Sequence, residues 1–137
     1  MIVVDASVLT DFLLGRDHTM AAVADQLQGR EHEPLHAPEL IEPETVNALR
    51  RLARAGVVSD NRAGEAVLDL GRTRLIRYPH APLRPRVWEL RDELTAYDAS
   101  YLALAEALDG SVLLSGDARL ARRARATIGP ARVHHVR

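Results

Sequence analysis

Ile2-Val3-Val4-Asp5-Ala6-Ser7-Val8-Leu9 is the stretch on which the fold turns. Three consecutive apolar β-branched residues read as a strand buried on both faces, since a half-exposed strand would alternate with polar residues. Asp5 ends the run, and a helical pattern follows over 7–14, closed by Gly15. An acid standing where a buried strand ends is aimed at the carboxyl edge of an α/β sheet, where ligands gather. Val112-Leu113-Leu114 repeats the pattern, with Ser115-Gly116-Asp117 leading into a helix to about residue 127.

Working outward from these junctions, Asp17 or Thr19 can cap a helix ending near Gly29, and Leu35-His36-Ala37 is a short strand. Pro38 opens the next helix, in which Val46, Leu49, Leu52 and Ala53 form an apolar stripe that ends at Gly56. Ser59 N-caps a helix stopped by Gly71, and residues 75–78 make a strand ended by Pro79. Residues 82–94 read as helical, Asp98 starts a strong helix through Leu108, and residues 133–136 form a last strand. Apolar strands alternating with helices predict an α/β protein with a small central parallel sheet flanked by helices. There is no linker, repeat or low-complexity segment, so residues 1–137 read as one domain.

Composition narrows the chemistry. With 47% hydrophobic residues but only 4% aromatic ones, the core has to be aliphatic. A net charge of −1 argues against a generally basic surface that binds nucleic acid or anionic membrane by charge alone. All 18 basic residues are arginine, which excludes a P-loop lysine and Schiff-base catalysis. The lack of cysteine removes disulfides, thiolate catalysis and cysteine-based zinc sites, and is compatible with a cytoplasmic protein. No run is long and apolar enough to span a bilayer, and no basic segment precedes a leader-like stretch, so no membrane association is expected.

Asp5, Glu44, Asp98 and Asp117 stand out because each lies at or near the start of an apolar helix. Asp5, Asp98 and Asp117 can equally be N-caps, and spacing does not separate Glu44 from Glu39 and Glu42. If the four converge, their repulsion calls for a hard divalent cation with oxygen ligands, such as Mg²⁺, and chemistry on a phosphate ester. Asp11, Glu65, Asp69, Asp92, Glu93 and Asp109 read as helix-surface or turn acids. Ser7 and Ser115 have no His–Asp partner in sequence and suit capping or hydrogen bonding to a ligating acid better than nucleophilic attack. Arg119, Arg122 and Arg123 lie close together on one helix surface, and Arg50, Arg51 and Arg54 form a second group. Either group can hold a polyanion or simply be a solvated helix face. The six histidines show no metal-binding spacing, and His134 and His135 face opposite ways in a strand.

Taken together, IVVDASVL, APELIEPETVNALRR, YDASYLALAEAL and LLSGDARLARRA resemble the four acidic motifs of PIN-domain ribonucleases. The similarity is greatest to the VapC toxins of bacterial toxin–antitoxin pairs, and it spans essentially the whole chain. The resemblance places the acids at Asp5, Glu44, Asp98 and Asp117, with the Asn47 register selecting Glu44 over Glu42. Ser115 stands where the family often has threonine, and no further acid follows Asp117, since Arg119 and Leu120 come next. The resemblance implies a PIN-like α/β/α sandwich and an endoribonuclease dependent on Mg²⁺, with Mn²⁺ as substitute. Asp5, Glu44, Asp98 and Asp117 would hold the metal, Ser7 and Ser115 would orient ligands, and Arg119, Arg122 and Arg123 would bind RNA. A homodimer and a VapB-type antitoxin that blocks the site are also implied.

Two other classes compete. A haloacid-dehalogenase-like phosphatase needs a DxDxT motif and a lysine, whereas this chain reads Asp5-Ala6-Ser7-Val8 and has no lysine. A PIN-like module that binds RNA or protein without cutting is opposed by the retention of all four acids.

Overall fold

Five short strands, β1 (Ile2–Val4), β2 (Leu35–Pro38), β3 (Leu75–Tyr78), β4 (Val112–Ser115) and β5 (Val133–His135), form one sheet ordered β3-β2-β1-β4-β5. The structure, a computed structural model, describes residues 1–136. Every pairing is parallel, with Val3 opposite His36 on one side and Leu113 on the other. Ile2, Val3, Val4, Leu113 and Leu114 are all buried, as expected of strands with helices on both faces.

Seven helices join the strands: α1 (Ala6–Leu13), α2 (Asp17–Leu27), α3 (Ile41–Arg54), α4 (Asp60–Arg72), α5 (Arg84–Glu89), α6 (Ala96–Ala107) and α7 (Ala118–Ile128) among the described residues. From β1 the chain steps outward to β2 and β3, then returns to β4 on the other side of β1 and moves out to β5. Right-handed crossovers in opposite directions place helices on opposite faces. Accordingly α1 to α4 pack among themselves, and α6 packs on α5 and α7. The change of direction between β1 and β4 is a topological switch point, where the crevice at the strand ends takes ligands.

The α/β reading and the helix-flanked parallel sheet hold, and several local expectations are corrected. Pro38 belongs to β2 and α3 begins at Ile41, which leaves Pro43 in the first turn, where its missing N–H costs nothing. Gly71 lies inside α4, which ends one residue later with Thr73 as its C-cap. Residues 82–94 are not one helix. Pro82 and Pro85 break the start into a 3-10 turn (Ala81–Leu83) and the short α5, followed by turns around buried Leu90 and Leu94. Asp98 does not cap α6. Thr95 does, its hydroxyl accepting the Asp98 N–H at 3.2 Å, so the carboxylate is left free on the first turn.

Candidate active site

Asp5 occupies the switch point. It is only 5% exposed, yet it is not simply a cap. Its Oδ1 accepts the Val8 N–H at 3.0 Å, capping α1, and the Ser7 hydroxyl at 2.6 Å. Its Oδ2 accepts the Ser115 hydroxyl from the end of β4. Burial pushes its pKa up, against the pull of these three donors, and the charge of Asp117 adds to the rise. Asp117 caps α7 through Oδ1 and the Leu120 N–H at 3.0 Å, while its own N–H donates to Ser115 at 3.0 Å. For both residues the capping role and the site position coincide.

Glu44 comes in from α3. Its Oε1 accepts the Tyr101 hydroxyl at 2.6 Å, joining α3 to α6 across the sheet edge. Burial raises its pKa, the tyrosine bond opposes the rise, Asp5 adds to it and Arg51 lowers it. Glu42, which spacing could not separate from it, is engaged elsewhere in an ion pair with Arg77. Asp98 is strongly perturbed as well. Burial and the charges of Asp117, Asp5 and Glu44 push its carboxyl up to about 6, offset in part by Arg119.

Asp5, Glu44, Asp98 and Asp117 all line one groove of about 430 Å³, together with Ser7, Thr10, Asn47, Arg51 and Tyr101. Four chain segments separated by as many as 112 residues are thus brought to one place. Among the described residues no three acids or histidines converge tightly enough to enclose a cation unaided. The donor set still fits a hard divalent ion that keeps several of its waters and is bound through one or two carboxylates plus substrate phosphate. Asp5 has about four lone-pair positions, of which three are taken, leaving Oδ2 able to accept one more partner.

The arginines separate. Arg119 is near enough for its charge to lower Asp98, Arg122 is exposed, and Arg123 is committed to an ion pair with Glu93. The Arg123–Glu93 pair ties α7 to the segment before α6. Arg51, from the second arginine group, lines the groove instead.

Three contributors are not apparent from the motifs read singly. Tyr101 follows Asp98 by three residues, a same-face spacing on a helix that points to it once Asp98 is chosen. Asp11, read as a surface acid, lies on the groove wall and sits 3.8 Å from His18. A Cβ on Gly116 would lie 2.7 Å from the Ser7 Oγ, so glycine there lets β4 and α1 approach closely; only the tertiary contact reveals that need.

An α/β sandwich with a carboxylate groove at the switch point of a parallel sheet is the class of protein that fold and site define. The PIN domain family matches residues 2–126. The chain is 40% identical over 120 residues to Ribonuclease VapC9 of Mycobacterium tuberculosis (strain ATCC 25618 / H37Rv), covering 88% of each chain. It is 42% identical over 121 residues to Ribonuclease VapC1 of the same strain, covering 87% of each. Among solved structures, PAE2754 from Pyrobaculum aerophilum superposes with a TM-score of 0.57 at 26% identity, covering 89% of this chain and 83% of that one. The chain belongs to the PIN-domain family, as a VapC-type ribonuclease.

Proposed function

We propose that the chain is the endoribonuclease toxin of a toxin–antitoxin pair, hydrolysing RNA phosphodiester bonds with Mg²⁺ or Mn²⁺ held by Asp5, Asp98, Glu44 and Asp117. The observation that carries this reading is the convergence of those four carboxylates in one groove, where burial and mutual repulsion raise Asp98 to about 6. A bound divalent ion supplies an activated water and neutralises charge developing at phosphorus. Asp5, fixed by Ser7, Ser115 and the Val8 N–H, is the immobile acceptor of the set. Tyr101 orients Glu44, and Arg51 and Arg119 flank the acids as positive groups for the RNA backbone.

The five strands draw on residues 2 to 135, which supports reading the whole chain as one PIN domain. Among the described residues no helix is long and apolar enough to cross a membrane. The proposed setting is the cytoplasm, where RNA is available. A VapB-type antitoxin is the proposed inhibitor, and an arginine from it would pair with the carboxylates. The exposed apolar side chains Val46, Val67 and Leu68 on α3 and α4 offer surface for a homodimer or for that partner.

Purified protein incubated with total RNA and Mg²⁺ or Mn²⁺ tests the reading, beside Asp98→Asn and EDTA controls. Discrete cleavage that disappears in both controls is expected. Cleavage that persists in folded Asp98→Asn would remove the assignment of that acid, and cleavage that persists in EDTA would remove the metal.

A further inference from the structure

A second groove, of about 330 Å³, opens on the other side of the first turn of α6, lined by Leu40, His80, Arg84, Val87, Tyr97 and Ser100. Tyr97 precedes Asp98 directly, so the two Cα atoms are about 3.8 Å apart while their side chains serve different grooves. Leu40 immediately precedes α3, one turn before Glu44. The second groove therefore shares α6 and the start of α3 with the carboxylate site, and adds His80, Arg84 and Val87 from the segment after β3.

Its chemistry is that of a base-stacking platform. Tyr97 is 64% exposed, an uncovered ring in a groove whose apolar wall is made by Leu40, Val87 and Ala96. His80 Nε2 accepts the Leu40 N–H at 3.1 Å, which leaves Nδ1 as the ring nitrogen that carries hydrogen, a donor. Arg84 is an exposed donor, whereas Ser100 spends its hydroxyl proton on the Ala96 carbonyl at 2.7 Å. One turn along α5 from Arg84, Trp88 is 66% exposed with the Arg91 guanidinium stacked 4.3 Å from its ring centroid. Arginine interleaved with exposed aromatic rings is how proteins hold single-stranded nucleic acid.

We propose that this groove binds one unpaired base of the RNA substrate beside the scissile phosphate, stacked on Tyr97 and read by donors from Arg84 and His80. The proposal rests on the ribonuclease reading and deepens it into a substrate preference. A base offering two adjacent acceptors suits such donors, and guanine does so through N7 and O6, whereas adenine presents a donor beside N7. Guanine is accordingly the preferred occupant.

The test uses the full chain and short uridine-rich single-stranded RNAs that carry one central guanine, adenine or cytosine. Binding is followed by fluorescence anisotropy in EDTA, so that affinity is read without cleavage. Wild type is expected to bind the guanine RNA most tightly. Tyr97→Ala is expected to lose about ten-fold in affinity, while Tyr97→Phe, which keeps the ring, retains it. Arg84→Ala is expected to remove the difference between guanine and adenine.

Circular dichroism checks that each variant is folded, which the exposure of Tyr97 and Arg84 favours. If Tyr97→Ala binds all three RNAs as wild type does, and wild type still cuts RNA with metal at the same positions, the base subsite is overturned and the nuclease stands. If wild type neither binds nor cuts any RNA, both readings fall. If Tyr97→Ala leaves RNA affinity unchanged but alters the mass in sedimentation, the groove is an interface between protein chains and the proposal is likewise overturned.

Discussion

Burial and three neighbouring carboxylates hold the Asp98 carboxyl near 6, against an ordinary value of 3.8. The folded state therefore binds more protons than the unfolded state between those two values, and stability contributed by this group falls as pH rises through them. Above about 6 the charged form is strained in the site. Asp98→Asn should accordingly raise the melting temperature at neutral pH, and the gain should shrink as pH is lowered toward 4, as thermal denaturation would record. Activity runs the other way: initial cleavage rates should climb with pH, with a midpoint below 6 that falls further as the ion concentration rises, because the ion displaces the proton from the carboxylate. Tyr101→Phe isolates the bond to Glu44 at 2.6 Å. We expect a stability loss of about 1 kcal/mol, since a partly buried hydrogen bond is removed. The cleavage rate should drop with the fold intact, as chemical denaturation and an activity assay would show.

The junction of β4 with α7 shows how one element serves both stability and the site. Asp117 caps α7 and lines the groove, whereas Ser59 caps α4, accepting the Arg62 N–H at 3.1 Å, and does not line that groove. Replacing either residue by alanine should cost about 1 kcal/mol of stability by loss of the cap. Only Asp117→Ala should also abolish cleavage, and matched denaturation and activity measurements on the pair separate the two roles. At the same junction, Gly116→Ala would force Ser7 away from both the Gly116 N–H and Asp5. A drop in activity with little change in helix content is the expected outcome.

At the scale of the whole molecule, the sheet gathers charge that the chain keeps apart. Bringing Asp5, Glu44, Asp98 and Asp117 together opposes folding until a cation joins them, so Mg²⁺ or Mn²⁺ should raise the melting temperature of wild type. Differential scanning fluorimetry should show a smaller rise for Asp98→Asn, and equal rises would place the ion elsewhere. The core beneath the site tolerates little loss. Leu113, fully buried in β4 between β1 and β5, should cost about 2–5 kcal/mol when replaced by alanine, a large share of the ordinary stability of a domain.

Much of this protein is legible in its residues alone. The apolar run Ile2-Val3-Val4, its echo at Val112-Leu113-Leu114 and the helical stripes between them determine an α/β chain, because burial on both faces leaves a strand no polar positions. Glu44 could be chosen over Glu42 only through family resemblance; in the folded chain the choice is physical, since Glu42 pairs with Arg77 and Glu44 meets Tyr101. The boundaries at Pro38, Gly71 and Asp98 followed tertiary packing and neighbouring caps more than local propensity. Sequence could offer Asp5 and Asp117 as caps or as site acids but not as both. On Asp5 capping uses Oδ1, while Oδ2 is shared between Ser115 and the groove, and that division is decided only when β1 and β4 lie side by side. The partners of Arg51, Arg119 and Arg123 belong to the same class of question, because a guanidinium on a long side chain is assigned by what the fold brings within its reach.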